Sequence, residues 1–399
     1  MTALSNRPFL YYFLSNSLAL LGIWIQKIGV GWLTWQITES TFWTSFVTLA
    51  LMAPAGILGP FFAVLVEKWN MRKASLILKL LMFLVGVLIW YIQYINAHTL
   101  FTLASLSILQ GILSACYHPV RLVFVSVVVP RGLMASAIGL NSASFNASRV
   151  IGPAFAGISI TLYDLQTTFF IAMLSYIPLI PVLIYMPLKL RKIDKIKANK
   201  FIDSLIEGAS VALKNSIIFK GLFIVLMNAF FVRGMLEIQP TIAGEILNAN
   251  SSELSLITAS AGLGALLASI SIGISSKNNE NRINKLVPML LAGLLVSSII
   301  GFTSNVNLMS FLFILIGFST TTVGIQTQTI IQLEVDDIYR ARVLTWWSTV
   351  SFGALTIGGI VLGSIGEFVP MKFGLIGMPI LGFLIFKLFV YFRFKNNFI

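Results

Sequence analysis

Charge is scarce in this sequence. Of 399 residues only 10% are Asp, Glu, Lys or Arg, while 57% are hydrophobic, and the mean hydropathy is +0.91. A water-soluble globule carries about a quarter charged residues, so this chain lacks the polar surface to be one. Cysteine is nearly absent: the lone Cys116 excludes an internal disulfide and a thiolate metal cluster. The two histidines, His98 and His118, are too few and too separated for a histidine-rich metal site, so no cofactor is expected. No phosphate-binding P-loop is present, which excludes a self-contained ATP-driven pump. Met1–Leu21 imitates a secretory signal, with Arg7 ahead of an apolar run. No small-residue cleavage site follows and the run continues to Ile37, so an uncleaved first helix is expected.

What the chain does have is long apolar runs. They fall at about 9–36, 42–66, 75–96, 100–129, 133–161, 165–188, 217–244, 252–275, 285–303, 307–333, 342–364 and 372–394. A spanning helix needs roughly 20 apolar residues, so twelve transmembrane helices are expected in a bilayer. Alternate connections differ in basic charge. One set carries Arg7, then Lys68, Arg72 and Lys73, then Arg131, the Lys189–Lys214 segment, Lys277, Arg282 and Lys285, Arg340 and Arg342, and finally Arg393 and Lys395. The other set holds Lys372 alone among basic residues, with Glu39, Asp164, Glu245, Glu253 and Glu367. The net charge of +13 is therefore a topology signal rather than a nucleic-acid footprint, and the positive-inside rule puts both termini in the cytoplasm.

The single extended polar segment divides the chain into an N-terminal six-helix bundle (1–188), a basic cytoplasmic linker (189–216) and a C-terminal six-helix bundle (217–399). In the linker, Phe201, Ile202, Leu205, Ile206, Ala209, Ala212 and Leu213 recur at helical spacing, with Asp203 early and Lys214 late. That pattern predicts an amphipathic helix on the inner membrane surface. A shift of 206 positions, without gaps, pairs Gly111 with Gly317, Ser142 with Ser348, Gly152 with Gly358 and Gly157 with Gly363. A parallel duplication of this kind forms a central site between halves that rock open to either side.

Residues Gly139 to Gly157 fit the spacing G-x8-G-x3-GP-xx-GG as Gly139, Ser148, Gly152, Pro153, Ala156 and Gly157, with Ser148 and Ala156 standing for glycines. On this motif, typical of the fifth helix of its antiporters, the chain resembles the major facilitator superfamily over essentially its whole length. The loop Ala63-Val-Leu-Val-Glu-Lys-Trp-Asn-Met-Arg-Lys73 is similar to the family's cytoplasmic G-x-L-A-D-R-x-G-R-K signature, with Glu67 for Asp, Lys68 for Arg and Asn70 for the turn glycine. Asn tolerates the left-handed conformation that such a turn needs. The resemblance implies a latch in which Glu67, Lys68 and Arg72 face the start of the eleventh helix near Arg340 and Arg342. Trp24–Leu33, His118-Pro-Val-Arg121, Arg233–Pro240 and Asp337–Val343 are similar to the group of drug and siderophore exporters that includes the enterobactin and macrolide exporters. The fourth-helix R-x-x-Q-G signature instead reads Ser107-Ile-Leu-Gln110-Gly111, without its arginine.

Glu237 is the one acidic residue well inside a run. Arg233 lies four residues earlier, on the same face of a regular helix, and is expected to pair with it. Lys27 is the pseudo-equivalent of Arg233, and the resemblance implies that their helices line the central cavity. Lys27, Arg233 and Glu237 are therefore expected to form a polar cluster in which Glu237 takes up protons; the alternative is a static ion pair that pins the seventh helix. Arg149 and Arg121 are candidates to attract an anionic substrate; the alternatives are helix packing for Arg149 and snorkelling to the inner surface for Arg121. Gln26, Asn228 and Gln239 are further polar candidates. The reading is a monomeric secondary transporter of the bacterial inner membrane, exporting an amphipathic small molecule, drug or siderophore, against protons. An importer or lysophospholipid translocator of the same fold is the alternative. A membrane-embedded enzyme lacks the clustered acids and bases it would need.

Overall fold

The computed structural model describes residues 3–66, 69–130, 133–186, 201–247, 251–274 and 282–393. Among them every regular element is helical. The N-terminal bundle consists of α1 (Arg7–Thr38), α2 (Thr41–Ala50), α3 (Ala53–Val66), α4 (Met71–Tyr94), α5 (Leu100–Val128), α6 (Met134–Leu162), α7 (Leu165–Leu174) and α8 (Leu179–Tyr185). After α9 (Phe201–Lys214), the C-terminal bundle has α10 (Ser216–Asn228), a π turn (Ala229–Arg233), α11 (Gly234–Glu237) and α12 (Gln239–Glu245). It continues with α13 (Ser251–Ile274), α14 (Arg282–Ile300), α15 (Val306–Glu334), α16 (Asp337–Phe368) and α17 (Met371–Arg393).

Among the described residues nine stretches are long and apolar enough to cross a membrane: seven single helices, α7 joined to α8, and α10 joined through the π turn to α11; the pair α2–α3, bent by 44°, is a tenth. The bend follows Leu51 and Met52, just ahead of Pro54, which has no amide hydrogen to continue the ladder. The other two expected spans are α6, long enough at 29 residues but diluted by Ser, Asn and Arg149, and α14, whose apolar part is Leu286–Ile300. Span starts are fixed locally by polar caps. Asn6, Ser40, Asn70, Asp164, Asn215 and Asn305 each accept a hydrogen bond from an amide in the first turn that follows. Asn70 was the residue expected to take a left-handed turn; its φ of −75° is extended, because its side chain is committed to the amides of Arg72 and Lys73.

The duplication is visible in the packing. Gly111 of α5 lies against the Ala50 carbonyl of the second span, and Gly317 of α15 against the Ala261 carbonyl of the eighth. Gly152 of α6 packs on Trp24, and Gly358 of α16 packs on Phe230, two contacts related by the same 206 positions. Gly157 packs on Ser255 of α13, and Gly363 on Ser45 of α2. This last pair joins the two bundles.

These cross-bundle contacts cluster at one end of the molecule, here called the far end; the near end carries Arg7, Arg72 and Arg342. At the far end Glu367 of α16 accepts hydrogen bonds from Ser40 Oγ (2.5 Å), the Phe42 amide (2.9 Å) and Thr41 Oγ1 (3.4 Å). A carboxylate from one bundle thus caps the first turn of α2 in the other, where the helix dipole favours negative charge. Glu367→Ala is expected to loosen far-end closure by about 1 kcal/mol, the ordinary worth of a cap. Faster alkylation of a cysteine introduced at Ser40 would report it; unchanged alkylation would contradict it.

At the near end, α9 does not simply lie on the bilayer. Gly208 fits against Arg342 of α16, and Ala212 joins Ile218, Ile331, Val335 and Val343 in a small core, while Ile206 and Leu213 remain exposed on the other side. On this helix Gly208 and Ala212 face the protein, and Ile206 and Leu213 face outward.

Candidate functional site

Between the bundles lies a cavity of ≈130 Å3. Its walls come from α1 (Trp24, Lys27, Ile28), α6 (Arg149, Pro153), the seventh span (Arg233, Leu236, Glu237, Gln239), α13 (Thr258, Ala261), α15 (Thr320, Thr321, Gln328) and α16 (Trp347). Small residues admit the ligand space: Gly262, Gly317 and Gly324 also line it. Both α6 and α13 contribute, so the helix carrying the Gly139–Gly157 motif is part of the site wall as well as of the seam.

Lys27 and Glu237 form a salt bridge across the two bundles, with side chains only 4% and 6% exposed. Such a pair is held by geometry, and removing one partner of a buried pair costs about 3–5 kcal/mol because the other charge is stranded. The expected partner of Glu237 was Arg233. Lys27 takes the carboxylate instead, although Arg233 and Glu237 lie one turn apart across the short helix between a five-residue π turn that ends at Arg233 and a break at Ile238. Arg233 instead donates to Ser351 Oγ of α16 (3.2 Å), its guanidinium 5.7 Å from the Phe352 ring centroid.

Arg149 joins this cluster from α6, its guanidinium donating to Thr321 Oγ1 of α15 at 3.5 Å. The cavity thus brings together Lys27, Arg149, Arg233 and Glu237: three cations and one carboxylate. Only Lys27 and Glu237 neutralise each other. Gln239 also lines the wall and reaches the Ile257 carbonyl at 3.5 Å.

Other candidates lie elsewhere. Gln26 is 1% exposed and faces Gly86 and Met173 inside the N-terminal bundle, because the residue next to Lys27 on α1 points about 100° away from the cavity. Asn228 is buried and is not among the cavity-lining residues. Arg121 does not snorkel: it is 3% exposed, with its guanidinium 4.7 Å from the Phe145 ring centroid, since an aromatic face is at hand in the interior. In the motif helix, Ser148 donates to the Ser17 carbonyl (3.5 Å), and Gly152 and the fully buried Ala156 sit within the N-terminal bundle. Gly157 meets the opposite bundle, and Gly139 lies on α6 toward its near-end start.

Of the latch, Glu67, Lys68 and the side chain of Arg340 lie outside the described residues. Arg72 donates to the carbonyls of Leu183 (2.6 Å) and Ile184, tying α4 to the end of α8. Arg342 pairs with Glu207 of α9, so its carboxylate partner comes from the linker helix. The sequence reading missed Lys79, a charge in plain view inside the run 75–96, and the hydroxyls and amide of α15, which composition does not distinguish from packing residues.

The model of transmembrane secretion effectors, a branch of the major facilitator superfamily, matches residues 1–397. The chain belongs to this family. It is a multi-pass transporter of the major facilitator superfamily, and its family and fold are those of transporters rather than enzymes. The transporter is 28% identical to the staphyloferrin A transporter of Staphylococcus aureus (strain NCTC 8325 / PS 47) over 187 residues, 47% of this chain and 46% of that protein. It is 23% identical over 158 residues to the uncharacterized MFS-type transporter YfiS of Bacillus subtilis (strain 168), 39% of this chain and 37% of that one. The matched stretches thus span less than half the length of these curated relatives. In fold it is similar to a POT family transporter solved with a thioalcohol-conjugated peptide, at a TM-score of 0.69, 14% identity and 96% coverage of both chains. It is likewise similar to a mutant of the nucleoside transporter NupG, at a TM-score of 0.68 and 12% identity, covering 97% of this chain and 100% of that one.

Proposed function

We propose that this transporter exports an amphipathic anion of the siderophore class across the bacterial inner membrane, driven by protons moving inward, with the near end in the cytoplasm. The charge of the cavity carries the reading. Among the described residues two guanidiniums, Arg149 and Arg233, have only hydroxyl and ring partners there, and forked guanidiniums favour carboxylates held bidentately. Trp24 and Trp347 supply apolar walls for the rest of the ligand. The basic connections at the near end support a cytoplasmic placement. The Lys27–Glu237 bridge supports coupling: it ties the bundles together in the closed far-end state, and a rocking motion that separates them leaves a carboxylate free to take a proton.

The test is transport in proteoliposomes under an imposed pH gradient with a panel of carboxylate siderophores, cationic drugs and lysophosphatidylcholine. Gradient-dependent accumulation of the carboxylates is expected. Accumulation that ignores the gradient removes the proton coupling, and movement of lysophosphatidylcholine alone replaces export with lipid translocation.

A further inference from the structure

Lys79 has no part in the cavity. It lies on α4, eight residues from Met71 or ~12 Å from the near end at 1.5 Å per residue. Its side chain is fully buried, and its ammonium stands 3.9 Å from the Tyr117 ring centroid and 5.5 Å from that of Tyr176. Its Nζ has no hydrogen-bond partner. The cost of burying an ion is several kcal/mol, whereas a desolvated cation–π contact returns about 2. A permanently charged lysine at this position is therefore poorly supported.

The ionisable groups around it offer no carboxylate among the described residues. α5 contributes Tyr117 and Arg121; Tyr176 stands at the turn before α8, and α7, also packed on α4, contributes none. Arg121 has the same sign and also leaves a guanidinium nitrogen, Nη1, without a partner. Yet acceptors for a proton-bearing amine are close by in the fold. Ser75 Oγ, one turn earlier on α4, and Ser107 Oγ and Gln110 Oε1 on α5 are all buried without partners. Gln110 donates to Tyr176 OH (2.9 Å), so the amide and the ring beneath Lys79 are one connected unit. The same place offers π faces in one arrangement and unused oxygen acceptors in another. A structural lysine would show only one of these.

We propose that Lys79 is a second proton-binding site of the transporter, inside the N-terminal bundle and separate from the substrate cavity. In the step it performs, the Nζ ammonium gives its proton to water and the amine later takes one back; no other bond changes. Gln26 relates it to the cavity: beside Lys27 on α1, buried and with both amide atoms unpartnered, it lies against Gly86, two turns along α4 from Lys79. Movement of α1 that alters the Lys27–Glu237 bridge therefore also moves against the helix that carries Lys79.

The experiment uses full-length protein with [ε-13C]lysine in lipid nanodiscs, and the resonance lost in Lys79→Arg identifies the site. That resonance is expected to titrate between pH 5 and 9 and to keep doing so in Glu237→Gln, independently of whether any substrate is exported. A resonance that stays in one protonation state over the whole range overturns the proposal. Lys79→Met gives a second readout, proton uptake by the purified protein titrated from pH 9 to 5. One proton fewer than wild type is expected, and an equal count overturns the assignment. If Lys79→Met fails to fold, Lys79→Arg answers the same count.

Discussion

Glu237→Gln is expected to stop proton-driven transport, lowering the initial rate under a pH gradient by more than about tenfold. The variant keeps the size of the side chain but removes both the charge that holds Lys27 and the group that exchanges protons. Stability should respond separately. Lys27→Met strands the carboxylate and Glu237→Met strands the ammonium, and either should cost about 3–5 kcal/mol, seen as a lowered Tm. The double change Lys27→Met with Glu237→Met places two apolar side chains where the ions were, and should recover most of that loss without recovering coupling. Wild-type proton-driven rates in Glu237→Gln would remove this carboxylate from the mechanism. An additive Tm in the double variant would mean that the bridge does not bind the bundles.

The other large effect is expected at the far end, from Gly157→Val. The glycine sits against Ser255 Cα and Cβ, and any Cβ placed on it would lie 2.6 Å from both atoms. Overpacking of about 1–3 kcal/mol falls on the closed state and not on a state in which the bundles have parted there. A bias of that size changes the ratio of the two states by about 5- to 150-fold. Spin labels at Leu162 and Ser252 should show a longer distance in the variant. An unchanged distance in Gly157→Val would show that this seam does not set closure.

Most of the architecture was legible in the sequence because a bilayer imposes long, uniform constraints. Twelve apolar runs, alternating basic connections and a shift of 206 positions each sum over many residues, so local accidents average out. The site was legible only in part. Lys27, Arg233, Glu237 and Arg149 stood out as charges in apolar runs, and the fold brings them to one cavity. Their pairing was not legible, since it depends on which way a helix faces. Gln26 and Lys27 are neighbours in sequence yet serve different compartments, and a one-residue difference on a helix is about 100° of azimuth. Lys79 is a charge inside an apolar run as Lys27 is, but it lies in none of the motifs that carry the family resemblance, whereas Lys27 lies in Trp24–Leu33. Glu367 read as a topology residue; its role as a cap on another bundle's helix needs the partner's backbone to be in place.

The π turn at Ala229–Arg233 has a mechanical consequence. A π turn is an α-helix carrying one surplus residue, and surplus residues can migrate along a helix by exchanging one hydrogen-bond rung at a time. Each exchange leaves the ends of the span where they are but rotates the stretch it passes by about 100°. In this molecule that stretch begins with Arg233 and leads, through a single turn, to Glu237. A one-rung shift of the surplus residue toward Glu237 would re-aim the charges it passes within the cavity wall, separately from any rocking of the two bundles.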